Sequence, residues 1–215
     1  MKQTTRWVQI STIVVILALP AIGEAGPPLI CHPFQTGSEA VLPWGDGSSW
    51  NTPDGRYDVQ RLTGDTLRLL SGGQSVIARM ENLRRATIYA ARDQRVASEL
   101  LSAVLARALS AMASGAPNAG ALFDAGYLIE SYKQGAALHQ SGLRAGSTAR
   151  RWILDDEAAA NGYAMVTRAI ALAGNNPEME FAASLMKSGT VADEHRRRAT
   201  SNAIPGSLLA INLRQ

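Results

Sequence analysis

The stretch "GPPLICHPF", residues 26–34, sets the only cysteine of the chain, Cys31, beside His32, one of three histidines. Thiolate and imidazole both bind soft and borderline metals well. "PLICH" matches the second half of Cys-x-x-Cys-His, the haem-attachment motif, with Pro28 where the first cysteine would stand. A single thioether through Cys31 with His32 on the iron is the chemistry that would follow. A metal carrier built on the same pair needs one or two further ligands, and none is nearby in sequence. An odd cysteine in an oxidising compartment can also pair with another chain, which gives an intermolecular disulfide through Cys31. The reading adopted is a small side chain buried where the N-terminal segment meets the body, since unpaired cysteine is among the most buried residue types.

Other reactive groupings are sparse. His32, His139 and His195 are widely spaced, and no pair has the helical spacing that puts two ligands on one metal. There is no glycine-rich phosphate loop and no Gly-x-Ser-x-Gly elbow, so no metal or cofactor is assigned. Asp155, Asp156 and Glu157 suit a helix start, where the dipole and free N–H groups attract carboxylates. "EHRRR", Glu194 to Arg198, distributes its charges round a helix and reads as a solvated face. Arg84 and Arg85 sit among apolar positions, and one of them is expected to reach an acid such as Glu81 or Asp58.

"IESYKQGAALHQSG", residues 129–142, places a glutamate and a serine near the end of a helix, before a segment with alanine and glycine. It resembles the start of the motif in soluble lytic transglycosylases, exported helical enzymes that cleave peptidoglycan. The resemblance implies that Glu130 is a general acid protonating the glycosidic oxygen, with Ser131 beside it. Such an acid needs a pKa raised by burial in an apolar cleft. The glycine-leucine-methionine-glutamine element that follows in the family is replaced here by "GLRAG", Gly142 to Gly146. Read from spacing alone, Glu130 and Lys133 are an ion pair on one helix face.

These residues must be positioned by the elements around them. "MKQTTRWVQISTIVVILALPAIGEA" opens with Lys2 and Arg6, continues as an uncharged apolar run from Ile10 to Ile22, and ends in small residues. That is a secretory signal peptide over 1–25, cut between Ala25 and Gly26, and the expected location is periplasmic or secreted. No later run is expected to span a bilayer. The net charge of +3 falls by one when Lys2, Arg6 and Glu24 leave with the signal, too little to indicate nucleic acid or an anionic membrane surface. All but three of the basic residues are arginine, which suggests a GC-rich bacterial genome.

Residues 26–57 form a Pro-, Gly- and Trp-rich arm. Its five prolines exclude a long helix, while Phe34, Leu42, Trp44, Trp50 and Tyr57 are too apolar for a linker. An extended arm lying along a helical body is expected. The body, 58–203, repeats its apolar residues at helical spacing. Helices are expected from Asp58 to Gly72, over Val76–Ala91, after an Asp93 cap, over Ala119–His139, over Asp155–Ala173, from Asn176 to Lys187, and over Ala192–Ala203. A C-terminal tail, 204–215, follows. Gly126 and Gly162 fall mid-helix, where each costs about 1 kcal/mol relative to alanine, so close helix–helix approach is expected there.

The fold class is all-α: about six or seven helices in packed antiparallel hairpins, with an extended N-terminal arm. With little catalytic machinery in the sequence, the expected function is a non-catalytic protein- or peptide-binding module of the bacterial envelope. The alternatives are a peptidoglycan-cleaving enzyme using Glu130 and a haem or metal carrier using Cys31 and His32.

Overall fold

The computed structural model describes residues 28–46, 49–140 and 161–214, apart from the side chains of 138–140. It is all-α, with nine helices and no strand among the described residues. They are α1 (Pro28–Cys31), α2 (Leu62–Ser71), α3 (Val76–Ala90), α4 (Gln94–Ala113), α5 (Ala119–Gln140), α6 (Gly162–Leu172), α7 (Pro177–Ser184), α8 (Gly189–Ser201) and α9 (Leu208–Asn212). A 3₁₀ turn, Val59–Arg61, leads into α2.

Local chemistry accounts for most of the starts. Asp58 accepts the N–H of Gln60, Ser75 that of Ala78, and Asp93 those of Arg95 and Val96. Asn176 caps α7 with Pro177 in first position, where the missing N–H costs nothing. The described helix α6 begins at Gly162. Asn161 lies outside helical conformation, at φ −116° and ψ 62°, and its side chain accepts the Ala164 N–H at 2.9 Å. Asp155, Asp156 and Glu157 fall outside the described residues. α7 stops at Ser184, short of Lys187.

α5 packs against α3, α4 and α6, and α7 against α8. The α5–α6 contact is very close: a Cβ on Gly126 would lie 2.5 Å from the Gly162 carbonyl oxygen. Glycine is required at both positions by backbone approach. α4 is long and apolar enough, by length and composition, to cross a membrane, so the expectation that no such run follows residue 26 does not hold. Here Val96, Leu100, Leu101, Val104 and Ala108 of α4 turn into the core.

The arm is a wall of the core. Leu29, Ile30, Phe34 and Leu42 are buried, and its first described residues form α1. Such a segment has no ladder to satisfy its backbone, and unpaired buried amides are costly. α3 supplies the partners, being buried almost all round. Glu81 Oε2 accepts the Phe34 N–H (3.0 Å) and Asn82 Oδ1 the Leu42 N–H (2.8 Å). Arg84 Nη1 donates to the carbonyls of Ile30 (3.1 Å) and Trp50 (3.0 Å), Arg85 Nη1 to that of Leu42, and the Tyr89 hydroxyl to that of Pro43 (2.7 Å). Trp44 lies under both guanidinium groups, 5.0 and 5.4 Å from its ring centroid.

The C-terminal segment is likewise docked. Asn212 in α9 accepts the Gln35 N–H (2.8 Å) and donates to the Gln35 carbonyl (2.9 Å), closing arm and C-terminus onto each other.

Candidate functional site

The arm, α7, α8 and α9 enclose a cleft of about 270 Å³ lined by Pro28, His32, Phe34, Phe181, Leu185, Arg196 and Asn212. Its walls follow from contacts already made. Phe34 packs edge-on against Phe181 with ring centroids 6.2 Å apart. Gln134 of α5 accepts the Leu29 N–H (2.9 Å) and donates to the Leu185 carbonyl (3.3 Å), setting α1 against the end of α7. Arg196 projects from α8 and gives one N–H of Nη2 to the Leu213 carbonyl at 2.9 Å. His32 is exposed and has no hydrogen-bond partner among the described residues. Among the described residues no carboxylate lines the cleft. Its described residues therefore offer an apolar floor with a guanidinium and an imidazole at the rim.

Cys31, one residue away, is partly buried and unpaired. Burial pushes its thiol pKa up, with the Arg84 charge acting against that. Among the described residues, no three His, Cys, Asp or Glu side chains converge as a metal site would require. Its burial is partial where full burial was expected.

Glu130 is placed by the Gly126–Gly162 approach. Its Oε1 accepts the Tyr163 N–H at 3.2 Å, in the first turn of α6, and pairs with Lys133 Nζ at 2.7 Å. A carboxylate there complements both the free N–H groups and the dipole of α6. Ser131 is fully buried, and its Oγ has no hydrogen-bond partner among the described residues. Glu130 and Ser131 are neighbours in sequence whose side chains occupy different surroundings.

A third grouping was not legible in the sequence. His195 on α8 contacts Glu180 of α7 through Nδ1 and the Tyr163 hydroxyl of α6 through Nε2, the latter at 2.8 Å. Arg198 Nη1 stands 3.8 Å from the other Glu180 oxygen, and Lys187 Nζ lies 4.3 Å from the Tyr163 ring centroid. A carboxylate–imidazole–phenol series is the layout of an acid–base relay. Here both ring nitrogens are engaged within the protein, so the imidazole offers no open position. Burial, then the Glu180 charge, pushes the Tyr163 pKa up, against Arg198, and keeps the phenol a donor. The series ties three helices together. The available signal was weak: a histidine and a glutamate inside helices with no shared motif.

Asp124 is the remaining buried ion. Arg79 Nη1 reaches its Oδ2 at 2.6 Å and Arg107 Nη1 stands 3.9 Å away. Its other oxygen has no partner among the described residues, and burial raises its pKa to about 6 against the pull of Arg79 and Arg107.

Comparison with known proteins adds no relative: no protein family, curated protein or solved structure matches the chain.

Proposed function

We propose that the protein is an exported, non-catalytic binding protein of the bacterial envelope, and that the cleft between arm, α7, α8 and α9 takes a segment of another polypeptide. The observation that carries this reading is the rim. His32 and Arg196 hold unused donors above Phe34, Phe181 and Leu185, in a cleft with no acid among its described residues. Binding sites combine apolar walls with a few convergent polar groups in this way. Glu130 Oε1 and both ring nitrogens of His195, by contrast, are engaged within the protein.

Site-specific photo-crosslinking in an exporting bacterium tests the proposal. A benzophenone side chain at His32 is expected to trap a defined envelope polypeptide, which the same group at Arg56, on an exposed turn, does not trap. Identical adducts from both positions, or none from His32, would refute it.

A further inference from the structure

We infer that the cleft recognises the C-terminal end of a partner polypeptide: a free carboxylate next to an apolar last side chain. This rests on the binding reading above and specifies its ligand.

Size sets the first limit. At about 270 Å³ the cleft lies just below the roughly 300–1,000 Å³ usual for small-molecule pockets. It is too small for a helix, and it suits one apolar side chain with the backbone group attached to it. The floor of Phe34, Phe181 and Leu185 fits that side chain.

Polar chemistry sets the second. Asn212 is committed, its Oδ1 to the Gln35 N–H and its Nδ2 to the Gln35 and Leu208 carbonyls. Recognition is left to Arg196, which only donates, and to His32, whose neutral ring has one N–H and one acceptor nitrogen. Arg196 keeps N–H groups beyond the one held by Leu213, and a guanidinium pairs with a carboxylate through two parallel hydrogen bonds. His32 carries an N–H in every protonation state. An internal peptide segment would bring its carbonyls without a negative charge to pair with the Arg196 guanidinium. A chain terminus brings two acceptor oxygens and one negative charge, which match the rim.

Calorimetry on the protein recovered from the envelope of an exporting host, after expression of the full chain, decides the matter. The probes are acetyl-Gly-Ser-Ala-Leu and acetyl-Gly-Ser-Ala-Phe, each as the free acid and as the C-terminal amide. The free acids should bind, and the amides should bind about tenfold more weakly or worse, the loss that follows from a missing charge-assisted hydrogen bond. Arg196→Gln should bring the acid down to the level of the amide. Because that variant also loses the Leu213 contact, His32→Gln provides the cleaner arm: it breaks no hydrogen bond within the described chain and should weaken the acid alone.

Acid and amide binding equally, with neither variant selective, would overturn the carboxylate assignment and leave the binding reading standing. No binding of either peptide in either form would overturn the carboxylate assignment; the crosslinking result at His32 then reports separately on the binding reading.

Discussion

Glu81 accepts the Nε and Nη2 of Arg84, the Nε of Arg85 and the N–H of Phe34, with no solvent exposure of its own. The spacing Glu81, Arg84, Arg85 made the ion pair legible in the sequence. The remaining Arg84 and Arg85 donors were not, because the arm carbonyls that take them lie far away in the chain. Removing the acid strands a buried guanidinium, so Glu81→Ala should cost about 3–5 kcal/mol in urea unfolding. A loss under 1 kcal/mol, about the value of a surface pair, would show that the cluster is solvated.

Asp124 predicts a pH dependence. Its folded pKa of about 6 lies above the ordinary 3.8, so the folded chain holds this proton more tightly than the unfolded chain. Its contribution to stability is complete below pH 3.8 and declines as the pH rises through about 6. The wild-type urea midpoint should therefore carry a falling component across that window, absent from Asp124→Asn. An unchanged pH profile in the variant would contradict the assignment.

At the scale of elements, caps were the most readable feature, since an Asp93 or Asn176 side chain bonds N–H groups two or three residues on. The three acids at 155–157 lie outside the described residues, and Asn161 provides the cap of α6. Close approach at Gly126 and Gly162 was legible from the cost of glycine in a helix. That Gly162 stands at a helix start was not. Two substitutions separate packing from propensity. Gly126→Ala puts a methyl 2.5 Å from a carbonyl and should destabilise by about 1–3 kcal/mol. Gly64→Ala, in α2 with nothing within 4 Å, should stabilise by about 0.5–1 kcal/mol. Thermal melting of both variants checks the pair. Equal shifts of the same sign would show that the α5–α6 contact is not tight.

At the scale of the whole molecule, the all-α class followed from apolar periodicity, a local signal. The cleft did not, because Pro28, His32, Phe34, Phe181, Leu185, Arg196 and Asn212 meet only through the docking of both ends of the chain. The arm was expected to lie on the body. Buried polar side chains of α3 fasten it there, and the cleft depends on that fastening.

Native-state hydrogen exchange at the Phe34 and Leu42 amides tests this most directly, because each donates to an α3 side chain and to no backbone carbonyl. Both should exchange only with global unfolding, at the same free energy as the amides of α3 itself. Exchange at loop-like rates, with α3 still protected, would mean that the arm opens independently and that the cleft is not built as described.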